Sequence, residues 1–459
     1  MNLRLMWLAV PLALGLGSLP VRAASPLEEA LLQAVRAARF DRLLDFGPAN
    51  EEVPRPGPPK PIAHPPNVDV AVLQLGPRGE VVAWANVLLS RDYPGGLVVP
   101  ATLDRGADSV RFRRWDIARW NGGVFRPGES RPATVKGWTN QPALTDDDDL
   151  VPGRAGAPFQ FMAPYPASLF KLLVAFQVLR AVDAGALALD TPCTFSAPGR
   201  PPETRPVGAW LDPMITESSN LATQALVQLL HRQDRVATLN REFRELGLAT
   251  LQVHGTRAED GRNWQTDRIH MTAFDTVRLL LLLEGGPGEL WRPPGGRPVT
   301  AGYLGASSRA HLRRLLSEQG LNEALSTANL AGLPHVRPGI PARVAPRWIH
   351  PTTGVVVVDG VNFGADVRAA NQAAEVLFAH KTGLTYNYAS DAGIVTSLPG
   401  RPFRRYLIAF LSNLGYRYVD EVFADRDRGP HADPVGPISY TQRIPALGRA
   451  VDEAIRRAP

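Results

Sequence analysis

Apolar residues recur at helical spacing through the middle of this chain and form strand patterns mainly toward its two ends. Residues 26–45 (PLEEALLQAVRAARFDRLLD) carry apolar side chains three and four apart and predict an amphipathic helix. The pattern breaks at PRPGPPKPIAHPP, residues 54–66, a stiff proline-rich linker. VDVAVLQL and EVVAWANV, joined by GPRG, then predict a β-hairpin. Residues 94–157 are dominated by turn formers, with one strand pattern around VRFRRWDIARW. From residue 160 helical patterns follow one another, over 168–185, 220–232, 234–247, 271–284 and 306–319. Strand patterns return in TGVVVVDG, AEVLFAHKTG, DAGIVTSLPG and RRYLIAFLSNL, and residues 442–457 close the chain as an amphipathic helix. Strands at both ends around a helical middle predict one mixed sheet shared by the two ends, beside a helical half.

The first residues change the picture of where the chain works. A short positive start (Arg4), an apolar core over residues 5–19 and the small residues of VRAAS predict a secretory signal peptide, residues 1–24. Its apolar core is too short to span a bilayer, and no other stretch reaches that length, so the mature chain is expected to be secreted or periplasmic. One cysteine, Cys193, leaves no internal disulfide, so a core must hold the fold. The formal charge of +6 is spread as single arginines without a basic stripe, which argues against nucleic-acid binding. Four adjacent aspartates, Asp146–Asp149, lack the alternating spacing of a calcium loop and read as a solvated loop.

Composition also singles out one residue type. Of 50 basic residues only four are lysines: Lys60, Lys136, Lys171 and Lys381. Lys171 stands in PASLFKLLVAFQVLRAV, at the head of an apolar helix and three residues after Ser168. Residues three apart share a helix face, which puts the amine beside the hydroxyl. A serine hydroxyl is a weak nucleophile until something accepts its proton, and burial can push a lysine toward neutrality, which arginine resists. Further along, Ser218-Ser219-Asn220 opens an apolar helix, offering a proton relay in Ser218 and an amide-binding side chain in Asn220. Lys381-Thr382-Gly383 lies on a strand pattern, where the cation and hydroxyl suit a carboxylate and the glycine lets substrate approach the backbone.

S-x-x-K, S-x-N and K-T-G in this order resemble the motifs of the penicillin-recognising serine hydrolases, among them the class A β-lactamases. Between the second and third motifs, GTRAEDGRNW resembles the class A omega-loop pattern R-x-E-x-x-x-N at Arg257, Glu259 and Asn263. The resemblance implies a mixed α/β (α+β) fold, with an antiparallel sheet formed by both chain ends and an all-helical half. It implies acyl transfer through Ser168, activated by Lys171 or by Glu259 through a water. Ser218 would protonate the leaving nitrogen, and Glu259 with Asn263 would position the hydrolytic water. Asn220, Lys381, Thr382 and Gly383 would hold the substrate. The backbone amides of Ser168 and Leu384 would form the oxyanion site. Arg257 would anchor the loop by an ion pair, with Asp267 as its partner.

The departures from the family pattern are Ser219 in place of aspartate, Asp260 in place of proline after Glu259, and Leu384 in place of a small residue. The reading therefore takes residues 25–66 as an N-terminal helix and linker. Residues 67–459 become a β-lactamase-like catalytic domain with inserted segments at about 94–157 and 335–372. The expected activity is hydrolysis of a β-lactam amide; the alternatives are a D-alanyl-D-alanine peptidase or related serine hydrolase, and a binding protein with a degenerate site. Expected partners are a β-lactam or cell-wall peptide acting on a monomer, with no cofactor, no metal, no nucleic acid and no stable membrane span.

Overall fold

The computed structural model describes residues 24–46, 59–62, 64–114, 148–334, 336–421 and 443–457. The expected signal peptide up to residue 23, residues 47–58 and 63 around the proline-rich stretch, Lys136 and residues 115–147 lie outside the described residues. The fold is the expected mixed α/β type. Six strands, β1 (Val68–Leu75), β2 (Val81–Leu89), β3 (Leu97–Val98), β4 (Val376–Leu384), β5 (Ala389–Ser397) and β6 (Arg405–Ser412), form one sheet in the order β4-β5-β6-β1-β2-β3. Every pairing in it is antiparallel, so the sheet joins both chain ends but is not mixed.

Both faces of the sheet are covered, which is why its strands read as nearly continuous apolar runs. One face packs Leu73, Leu88, Ala392, Ile394 and Leu407 against the helical half. That half comprises α2 (Lys171–Asp183), α3 (Val207–Thr216), α4 (Asn220–Arg232), α5 (Arg235–Glu245), α6 (Ala273–Glu284) and α7 (Ala306–Ser317). All twelve residues of α6 are buried, and it lies directly on β6 and β1. The other face packs Val70, Val87, Phe378, Val395 and Phe410 against Leu31 and Val35 of the N-terminal helix Pro26–Ala37 and Leu447 and Val451 of the C-terminal helix Arg443–Arg457. None of the described helices is long and apolar enough to cross a membrane.

Several local expectations are corrected. The first helix stops at Ala37 rather than 45, because Arg39 adopts a left-handed conformation (φ 51°). Leu44–Asp45 then pairs with both Lys60–Pro61 and Tyr418–Val419, so the end of the linker is tied into a small ribbon. Helix α3 is not among the helical patterns of the sequence, and it contains Gly208 and Pro213. Full burial of Trp210, Leu211, Met214 and Ile215 overrides the low helix preference of glycine and proline. The prolines of residues 192–206 likewise obscure the ribbon Pro192–Ala197/Arg200–Pro206. TGVVVVDG leaves the main sheet: Val355–Val358 pairs with Val361–Asp366 and bridges Ile349 through Val356, over a separate small core of Val344, Trp348, Val356 and Phe363. The acidic run is not wholly solvated either, for Asp149 is buried between Arg111 at 2.7 Å and Arg113 at 3.0 Å.

Candidate active site

The turn that carries Ser168 is set by its neighbours. Ala167 sits in the left-handed region (φ 48°), and Ala167–Phe170 form a single 3-10 turn that leads straight into α2 at Lys171. The sequence pattern predicted α-helix from 168; the tighter turn instead leaves Ser168 half-buried at the mouth while Lys171 is fully buried. Lys171 Nζ lies 3.0 Å from Ser168 Oγ, 3.1 Å from Ser218 Oγ, 2.5 Å from the Ser218 carbonyl and 2.9 Å from Asn220 Oδ1. Ser218 is itself left-handed (φ 62°), which turns both its hydroxyl and its carbonyl toward the amine. Ser219, between the two site residues, caps α4: its Oγ accepts from Ala222 N at 3.3 Å. The serine that replaces the usual aspartate therefore serves the helix.

Lys381 closes the cluster from the sheet. Its Nζ donates to Ser218 Oγ at 2.9 Å and to the Thr382 carbonyl at 2.8 Å, and it is fully buried. No described carboxylate forms an ion pair with Lys171 or Lys381. Burial is the main force holding Lys171 well below the ordinary lysine range, with the nearby Lys381 charge second. Burial lowers Lys381 to about 7, opposed by the more distant carboxylates Asp391 and Glu323. A neutral Lys171 has two N–H bonds and one lone pair. The two N–H bonds fit the Ser218 carbonyl and Asn220 Oδ1, which leaves the lone pair facing the Ser168 hydroxyl.

Strand β4 lies at the sheet edge, and its alternation sends Lys381 and Gly383 toward the helical half. Thr382, almost wholly buried, shares the other face with His380, and Leu384 packs its side chain on the outer apolar cluster. Because Thr385 N donates to Tyr388 O at 2.9 Å, the Leu384 N–H points off the free edge of β4. Gly383 does something the sequence did not reveal. A Cβ there would stand 2.6 Å from Leu169 N and closer still to the Pro166 carbonyl and Ser390 Oγ. The glycine admits the serine-bearing turn itself. Ser390 Oγ reinforces the junction by donating to the Pro166 carbonyl at 2.5 Å.

The loop predicted to bring a water-activating carboxylate does not reach this cluster. Gln228 Nε2 donates to the Glu259 carbonyl at 2.9 Å, which fixes that residue's backbone beside the middle of α4. Gln228 is eight residues past Asn220, or about 12 Å along the helix axis. The Glu259 side chain is exposed and lies near His231, in the last turn of α4. Arg257 pairs with Asp260 at 2.5 Å, not with Asp267, which sits 3.3 Å from Arg268. Asn263 is left-handed (φ 76°) and donates to the Gly255 carbonyl, closing the loop on itself. The loop residue that does approach the serine turn is Trp264. Its ring centroid is 5.3 Å from that of Phe170, and its carbonyl accepts from Tyr165 Oη at 3.0 Å. An aromatic after R-N carried no chemical signal, so sequence reasoning passed over it, as it did Ser390 and Tyr165. Among the described residues no group of three or more His, Cys, Asp or Glu side chains could hold a metal ion.

Residues 163–330, a little over a third of the chain, match the model of the β-lactamase enzyme family. No curated protein matches the chain. Among solved structures it is similar to PBP-A, at 20% identity over 64% of this chain and 83% of that one, with a TM-score of 0.39. It is similar to a β-lactamase from Sphaerobacter thermophilus DSM 20745 at 14% identity, covering 94% of this chain and 98% of that one, with a TM-score of 0.41. A β-lactamase from Chitinophaga pinensis DSM 2588 is 17% identical over 63% of this chain and 86% of that one, with a TM-score of 0.38.

Proposed function

We propose that this chain is a serine hydrolase of the penicillin-recognising kind, acylated at Ser168 by β-lactams or by the cell-wall amides they resemble. The observation that carries the reading is the buried Lys171 amine, 3.0 Å from Ser168 Oγ and without a carboxylate partner among the described residues. Such an amine can accept the serine proton as Oγ attacks the amide carbonyl. The oxyanion would take the Ser168 and Leu384 amides. Ser218, touching both lysines, would pass its hydroxyl proton to the leaving nitrogen and be reprotonated through them. Lys381 would hold a substrate carboxylate near neutral pH, in the manner the K-T-G resemblance implies.

Deacylation is where this reading parts from the class A resemblance. With Glu259 placed beside Gln228 and His231, no described carboxylate lies within hydrogen-bonding reach of Ser168 or Lys171. The ester would then be slow to hydrolyse, which favours a peptidase-like or penicillin-binding role over rapid antibiotic turnover. Export after residue 24 belongs to the same proposal and rests on the sequence of residues 1–24.

Mass spectrometry of the mature chain with benzylpenicillin tests both parts. The expected result is one penicilloyl adduct, absent from Ser168→Ala and persisting over many minutes. Absence of any adduct together with absence of hydrolysis would remove the proposal. Fast hydrolysis without lasting adduct would keep the serine chemistry and refute slow deacylation.

A further inference from the structure

A second concave site stands at the end of α4 remote from Asn220. It is a cleft of about 480 Å3, lined by His231, Asp234, Asn240, Arg244, His254 and Gly255 among others. Its walls are fixed by hydrogen bonds. Val253 N donates to Asn240 Oδ1 at 2.8 Å, and Asn240 Nδ2 returns a bond to the Val253 carbonyl at 2.8 Å. His231 Nε2 meets Thr256 Oγ1 at 2.8 Å.

Three arginine charges act on its His254, and one of the three, Arg244, is on the lining. Arg244 is exposed on the lining, and its side chain makes no hydrogen bond or ion pair with a described residue. Arg268 lies along the cleft edge: a Cβ on Gly255 would stand 3.3 Å from its Cδ, and its carbonyl accepts from His254 N at 3.0 Å. The buried Nε of Arg114 has no hydrogen-bond partner. Burial lowers the His254 imidazole below its ordinary range, and the charges of Arg114, Arg244 and Arg268 add to this, so the ring is neutral near pH 7. The acids close by are Asp234 on the lining, Asp267 at 3.3 Å from Arg268, and Glu259 near His231. None of them pairs with Arg114 or Arg244. A guanidinium presents paired N–H donors that match a tetrahedral oxyanion, so the unfilled fork of Arg244 on a concave wall, with the exposed Arg268 at its edge, suits phosphate. The cleft is of ligand size and far larger than an inorganic ion needs.

We propose that this cleft binds a phosphate-bearing small molecule, held by Arg244 and Arg268 with Arg114 behind them, independently of the Ser168 centre. Calorimetric titration of the full mature chain with pyrophosphate and with glucose 1-phosphate, at ionic strength fixed with sodium chloride, tests this; citrate serves as the carboxylate comparator. Saturable one-site binding of at least one phosphate is expected. Arg244→Gln and Arg268→Gln, both at exposed positions, should each weaken it by about tenfold or more. Penicillin labelling of Ser168 should be unchanged in both variants, so failure here and failure of the catalytic reading are separable. Absence of saturable binding by either phosphate, undiminished binding in both variants, or tighter binding of citrate would overturn the proposal.

Discussion

Replacing Gly383 by alanine probes the junction on which acylation is proposed to depend. The added Cβ would stand 2.6 Å from Leu169 N and closer still to the Pro166 carbonyl, whereas ordinary contact begins near 3.4 Å, so strand and turn must separate by at least about 0.8 Å. Moving Ser390 aside cannot relieve this, because the Pro166 carbonyl and Leu169 N belong to the backbone of the serine turn. Overpacking of this size costs about 1–3 kcal/mol, less than a net folding stability on the order of 5–15 kcal/mol. The catalytic cost should be greater. The displacement opens the gap between Ser168 and the Leu384 amide, and misplacement of about 1 Å typically lowers rate about 10²-fold. The assay is the time course of labelling by a fluorescent penicillin, read beside thermal melting. Gly383→Ala should fold, melt a few degrees lower and label about 10²-fold more slowly. Labelling at the parent rate would refute the claim that this close approach sets the nucleophile.

Other outcomes follow from the same geometry. Glu259→Gln should leave the lifetime of the penicillin adduct unchanged by mass spectrometry, whereas a lengthened lifetime would return that carboxylate to the reaction. Ser219→Ala removes the α4 cap and should cost about 1 kcal/mol in denaturant melts while keeping Ser168 labelling. Lys381 acts in its charged form, present below about 7 and lost above it, so labelling at low penicillin should fall as pH rises through about 7. Lys381→Arg keeps its charge and should abolish that fall; a parent profile flat from pH 7 to 9 would dismiss the role. Lys171 acts in its neutral form, so labelling should also fall at acid pH, and Lys171→Arg should stop it.

What could be read from the sequence was the chemistry whose geometry is local. Ser168 and Lys171 are one turn apart, and the Ser218-Ser219-Asn220 turn opens its own helix, so short-range spacing already places these groups. The sheet strands were legible because two buried faces demand apolar runs, and the helical middle because its period is regular. The omega-loop match failed for a non-local reason. Three residues in register say nothing about where a loop docks; the Gln228 bond, the Arg257–Asp260 pair and the left-handed Asn263 place Glu259 beside α4. Helix α3 was hidden because burial overrules glycine and proline, and the ribbon before it because prolines interrupt the strand pattern of a largely exposed pair. Most of all, tertiary structure alone decided the state of the two lysines. Their depressed proton affinity comes mainly from exclusion of water, reinforced at Lys171 by the Lys381 charge, and both depend on which distant segments close over them.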